Sequence, residues 1–253
     1  MIFSFFSPEN FEKYPPAGMF TFSHLFAAII CIALISLFVY LSKNLNQDKL
    51  RKLTKVAAII FTILELIKII YNFYYHYTSL DSWFPLAFCS IFIYALYLSG
   101  FAKGFLRKLG ESFLVGGGIV GGSAFIVVPA TSLALHPIYH YLCLYSLLFH
   151  SCMIYFGIMF FKTKIFLPTF KNYKYYVTIF LFFAFIALII NCFAKTNLMF
   201  LSQPFNMPLK IFYLIHDFSP FIYTLIILIG YSLSYLLPLS IYYLLKRTNK
   251  NIF

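Results

Sequence analysis

Apolar residues along this chain come in blocks of about twenty, long enough to cross a bilayer as helix, and polar residues gather in the short gaps between them. The blocks fall at roughly 19–41, 53–75, 83–99, 110–128, 139–161, 175–194 and 220–245. They predict seven membrane-spanning helices. One block carries charge inside it. Residues 63–76, ILELIKIIYNFYYH, hold Glu65 and Lys68 three apart, and Asn72 and His76 follow by steps of four. On a helix those four side chains share one face. An unpaired charge in hydrocarbon costs about 2.5–3.5 kcal/mol even on the lenient insertion scale. The stripe therefore predicts a partner or a wet cavity. The plainer alternative is a Glu65–Lys68 pair that only fixes helix packing.

Other blocks carry their own punctuation. Pro85 opens the third, WFPLAFCSI, and is expected in the first helical turn, where a missing N–H does least harm. The fourth contains GGGIVGG, with Gly117 and Gly121, and Gly118 and Gly122, spaced by four. Small residues at that spacing let another helix or a ligand chain approach the backbone. A phosphate-binding loop is excluded here, because no Lys-Ser/Thr pair follows and no strand precedes.

Composition agrees with a membrane protein: 62% of the 253 residues are hydrophobic and 10% charged, against about 25% charged in soluble domains. No soluble domain or internal repeat is visible, so a single transmembrane domain over 1–253 is expected. The net charge of +12 does not point to nucleic acid, because the basic residues sit in short loops between apolar blocks. Taken alternately, the loops place fifteen of the 19 Lys and Arg on one side. Lys13, Lys195 and Lys210 fall on the other, and Lys68 lies within the membrane. The positive-inside rule then predicts an outside N-terminus and a cytoplasmic C-terminus in the cell membrane. Cys31, Cys89, Cys143, Cys152 and Cys192 show neither metal spacing nor a disulfide framework. No metal or cofactor is expected, and no removable signal peptide.

That topology sends polar groups toward the outer half. Lys68, Asn72 and His76 climb outward, Cys89 and Ser90 enter about two turns deep, and His150 reaches mid-depth. His24, Asn191, Asn197, His216 and Asp217 fall near the outer edge. A thiol with an imidazole is the minimum for covalent acyl transfer, and a buried thiol needs a base such as His150 or a positive charge such as Lys68. A buried cysteine that is only a small hydrophobe remains the alternative.

Several stretches together resemble the YwaF-type family of bacterial integral membrane proteins, which are akin to eukaryotic transmembrane cysteine acyltransferases acting on phospholipids. More distantly they are similar to the androgen-induced family of membrane lipid hydrolases. The matching residues are FSHL at 22–25, Glu65, PLAFCS at 85–90, the glycine-rich block ending in Pro129, His150, and TNLMFL at 196–201 before Pro204. The resemblance implies a seven-helix bundle with Cys89 as nucleophile and His150 as base, and with Glu65 and Asn197 lining or bracing the site. Lys68, Asn72 and Ser90 are expected as supporting groups. Ala87 stands where the family often has a polar residue, commonly His. Ala130 stands where it often has Asp. The expected partners are membrane phospholipids or lysophospholipids, with no soluble protein partner. Two rivals remain: a carrier that relays through Glu65, Lys68 and His150, and a non-catalytic assembly factor.

Overall fold

The computed structural model describes residues 14–248; Glu9, Glu12, Lys13 and Lys250 lie outside the described residues. Within them the chain is all helix and loop. Five helical stretches are long and apolar enough to cross a membrane: Phe22–Leu41, Gly104–Val127, Tyr141–Lys162, Phe170–Ala194 and Pro220–Thr248. The protein is thus an all-α, multi-pass integral membrane protein.

The first helix, α1 (Phe22–Leu41), starts where the Thr21 hydroxyl accepts from His24 N–H. Helix α2 (Gln47–Tyr74) starts where the Asn46 side chain accepts from Lys49 N–H. Both are side-chain caps that satisfy donors the first turn leaves open. Because α2 begins at its cap, it reaches six residues further toward the N-terminus than the apolar pattern suggests. It ends before His76, whose φ of 62° takes it off the helix. The polar stripe is therefore Glu65, Lys68 and Asn72, and His76 is not on it.

Seven spans were expected, and the two not among the five apolar crossings are α2 and the block at 83–99. The latter is helical only over α3 (Ile91–Phe101). Phe84 precedes Pro85 and is forced into extended backbone, φ −74° and ψ 123°, as steric clash with the proline ring requires. Pro85 thus breaks the block instead of opening a helix. Residues 84–90 form consecutive turns whose amides bond back two or three residues, as in Ser90 N–H to Ala87 C=O at 3.0 Å.

The glycine-rich span comprises α4 (Gly104–Phe113), a wider π-type turn (Leu114–Gly118) and α5 (Ile119–Val127). Its glycines are close-packing positions. A Cβ on Gly122 would stand 2.7 Å from His150 C=O, and one on Gly118 would stand 3.0 Å from Met153 C=O. Both carbonyls belong to α6 (Tyr141–Lys162). From the other side, a Cβ on Gly157 of α6 would meet Leu114 C=O at 2.7 Å. The two backbones therefore cross in direct contact, which is the packing use of small residues.

Helix α7 (Phe170–Ala194) follows, and then a loop, a short α8 (Ile211–Phe218), α9 (Pro220–Leu233) and α10 (Leu236–Thr248). Ser219 caps α9 and Pro220 sits in its first turn. The expected last span is interrupted between α9 and α10. Tyr176 closes that joint, donating to Tyr231 C=O at 2.7 Å and meeting Ser234 Oγ at 2.5 Å.

Candidate functional site

Cys89 lies in the turn segment just before α3, not two turns inside a helix. Its neighbours Leu86 and Phe88 are buried. Phe88 stacks flat on Tyr231 of α9 at 4.4 Å and meets Phe180 of α7 and Phe113 of α4. Phe180 and Tyr231 sit well inside spanning helices, so this non-helical backbone lies deep in the bundle. Irregular backbone survives at membrane depth only where protein or a cavity surrounds it. Ser90 is the residue that leads into α3, and its side chain makes no capping bond.

His150 sits in the middle of α6. Its Nδ1 bonds Ser146 C=O at 2.7 Å, and its ring lies flat on Phe125 with centroids 3.7 Å apart. Nε2 makes no hydrogen bond among the described residues. No hydrogen bond joins His150 to Cys89 either, so the expected Cys-His pair is not formed in this conformation. The Phe88 ring beside Cys89 and the backbone carbonyl of His150 lie against the same turn of α5. The place a Gly121 Cβ would occupy is 3.0 Å from the Phe88 ring, while Gly122 lies against His150 C=O.

Glu65 is fully engaged elsewhere. Lys68 Nζ lies 2.5 Å from Oε1, and the Tyr145 hydroxyl donates to Oε2 at 2.5 Å. Tyr141, one turn before Tyr145 on α6, donates to Leu64 C=O at 2.9 Å. Asn72 donates to Ser82 C=O at 2.6 Å and ties the end of α2 to the following turn. Thus Glu65 is closed by its own helix's Lys68 and one hydroxyl of α6, and Asn72 is spent on the following turn. Tyr141 and Tyr145 were visible as an i, i+4 pair, but nothing in the sequence said which helix they face.

Asn197 organises the loop after α7. Its Oδ1 accepts from Ser202 and Gln203 N–H, its Nδ2 donates to Gln203 C=O, and its own N–H donates to Asp81 at 2.7 Å. Asn191 plays the same part from α7, bonding Leu198 through both backbone groups and Thr196 through its hydroxyl. Between them Met199 and Phe200 hold φ of 57° and 55°, a region bulky side chains rarely adopt. Such strain persists only where the surroundings enforce it. Here Tyr231 donates to Met199 C=O and Tyr223 to Phe200 C=O. Tyr231 therefore joins the Cys89 segment to the strained loop, a role the sequence did not disclose.

The remaining polar residues expected near the outer edge make no hydrogen bond to Cys89. His24 bonds Ile126 C=O at 2.9 Å. His136 and His140 stack at 4.3 Å beside the Tyr71 hydroxyl. Burial, with His140 adding to it, pushes His136 down to about 4. His216 and Asp217 form a separate pair at 3.6 Å. Sequence reasoning also missed an ion pair between half-buried Arg51 and buried Glu111 at 2.7 Å, which ties α2 to α4.

Five apolar crossings around an irregular cysteine segment anchored by Leu86 and Phe88 define a polytopic membrane protein with an intramembrane candidate site. The chain belongs to the TMEM164 family, which it matches over residues 19–239. That family is related to, but not the same as, the YwaF-type proteins the sequence resembles, so the shared ground is a broader kinship among membrane proteins. Neither a curated protein nor a solved structure matches the chain.

Proposed function

We propose that the protein is a membrane-embedded acyltransferase or transacylase that moves phospholipid acyl chains through Cys89. The observation that carries this reading is the non-helical segment at 84–90, anchored by buried Leu86 and Phe88, which holds a half-buried thiol inside the bundle and outside any helix wall. The strained loop pinned through Tyr231 and the unbonded Nε2 of His150 support it. An apolar groove of about 410 Å³ adds to it. The groove is lined by Tyr94 and Leu98 of α3, Leu106 of α4 and Phe183 of α7. The Tyr94 hydroxyl bonds Pro85 C=O at 3.0 Å, so one wall of the groove is tied to the cysteine segment.

In this scheme His150 Nε2 takes the Cys89 proton and the thiolate attacks the ester carbonyl of a lipid. The tetrahedral adduct collapses to a thioester, and the departing lyso-lipid oxygen takes the proton from His150. An acceptor hydroxyl then gives its proton to His150 and attacks the thioester. Cys89 leaves as thiolate and is reprotonated. Catalytic hydrogen bonds often close only with substrate bound, and here a rotation of His150 off Phe125 would serve.

A carrier relaying through Glu65, Lys68 and His150 has less support. Glu65 is closed by Lys68 and Tyr145, and the Phe149 ring lies against both Tyr145 and His150 at 5.6 and 5.5 Å. The test is acyl labelling. Wild type incubated with radiolabelled phospholipid should accumulate hydroxylamine-labile label, and Cys89→Ala should carry none. Equal label on both would overturn the assignment.

A further inference from the structure

Three buried histidines gather where the chain enters α1: His24 at the start of that helix, and His136 and His140 in the turn that leads into α6. The turn holds the entering chain through its backbone. Ala17 N–H donates to His136 C=O at 3.0 Å, and Gly18 N–H to Leu133 C=O at 2.7 Å. Phe20 follows with φ of 60°, a region bulky side chains rarely adopt. Its N–H donates to His24 Nδ1 at 3.0 Å. In the same way Leu142 N–H donates to His140 Nδ1 at 3.2 Å. A backbone N–H can only donate, so both rings carry a single proton, on Nε2. Ile126 C=O takes that proton from His24 at 2.9 Å, and the Tyr71 hydroxyl takes it from His140 at 3.1 Å. Each ring is therefore bonded at both nitrogens as neutral imidazole. A second proton would set donor against donor. His136 lies flat on His140, so a charge on either ring meets the other ring and not water. The titratable groups facing this pair are the Tyr71 hydroxyl of α2, with Tyr75 and Tyr141 packed behind it, and the Cys143 thiol, which approaches His136 C=O at 3.7 Å. Phenols and thiols are uncharged at neutral pH. Neither His24 nor His136 forms an ion pair among the described residues.

We propose that His24, His136 and His140 form a proton-sensitive latch, which holds the entry of α1 on the turn before α6 at neutral pH and releases it in acid. Protonating His24 breaks its bond to Phe20, and the strain held there relaxes. Protonating His140 removes the acceptor at the head of α6. A proton on His136 puts a cation into a buried stack. All three changes act on one corner and in one direction. The closed corner holds His136 down at about 4, whereas a freed histidine titrates near about 6.5. Between those values the open form binds more protons, so the latch weakens as pH falls through that window and keeps its full strength above it. The consequence reaches Phe125, the ring under His150, because its neighbour Ile126 is the carbonyl that His24 holds. The latch does not rest on the acyl-transfer reading.

The test is amide hydrogen exchange of the full chain in nanodiscs, read by mass spectrometry near pH 7.5 and near pH 5 and corrected for the intrinsic pH dependence of exchange. Peptides over 17–26 and 130–144 should exchange about thirtyfold faster in acid, the opening that His136 alone gives from its depressed value. Peptides over 176–187 of α7 should not change. A triple variant, His24→Gln with His136→Phe and His140→Asn, keeps an acceptor at 24 and 140 and a ring at 136, and none of the three can take a proton. It should keep its neutral-pH protection in acid. His216→Gln, at the separate Asp217 pair, should respond as wild type does. Unchanged wild-type exchange in acid, the same loss in the triple variant, or equal acceleration in α7 overturns the latch. A second readout needs no triple variant. Magnetic resonance of ring-labelled histidines in the wild-type protein, with His136 assigned through His136→Phe, should show His136 titrating near about 4. All histidines titrating near about 6.5 would overturn the latch.

Discussion

Glu65 shows how a charge is kept inside a bilayer protein. Its two oxygens meet an ammonium from its own helix and a hydroxyl from α6. Removing one partner from a buried pair leaves an uncompensated charge, at about 3–5 kcal/mol in well-buried cases. The Lys68 end is about one-fifth exposed and the Tyr145 bond would remain, so Lys68→Met is expected to cost about 2 kcal/mol. Glu65→Gln with Lys68→Met should recover much of that loss, because no net charge is then stranded. Thermal unfolding of the detergent-solubilised variants checks both, and a double variant no more stable than Lys68→Met would mean the charge is not what matters. The sequence exposed the stripe through helical spacing but could not name Tyr145, because spacing reveals one helix's face and not its neighbour. His76 was misplaced because periodicity continues through an end that backbone geometry sets.

At the scale of elements, α5 and α6 are joined by the absence of side chains. A Cβ on Gly122 would press on His150 C=O at 2.7 Å and on the Ile154 side chain at 2.6 Å, and a carbonyl in a helix cannot swing aside. Gly122→Ala should therefore destabilise by about 1–3 kcal/mol, the usual range for overpacking, and displace the backbone that carries His150. Gly230 of α9 is the matched control. Nothing lies within 4 Å of its would-be Cβ, and Gly230→Ala should be neutral or gain up to about 1 kcal/mol from helix propensity. Melting temperatures of the two variants compare them directly; equal shifts would remove the packing argument. The small-residue spacing was legible because it is a pattern of residue types. The turn segment at 84–90 was not. A proline near the start of an apolar block fits a helix start or a break equally well, and only the extended Phe84 decides between them.

Across the whole molecule, charge asymmetry and site position make one joint claim. If the basic loops lie in the cytoplasm, the segment from Lys195 to Lys210 faces outside, and with it the loop that Asn197 organises. The number of apolar blocks was easily read, since burial in lipid leaves long hydrophobic runs. Which of them make full helical crossings was not, because α2 carries its charges to a partner and α3 yields half its length to the cysteine turn. Orientation is open to a direct measurement. In a background without native cysteines, Lys210→Cys should react with a membrane-impermeant maleimide on intact cells, and Lys49→Cys only after permeabilisation. Lys210 is exposed at the head of α8 and Lys49 is exposed in the first turn of α2, so each is reachable from its own side. The reverse pattern would invert the bundle. The loop that Asn197 organises would then meet the inner leaflet.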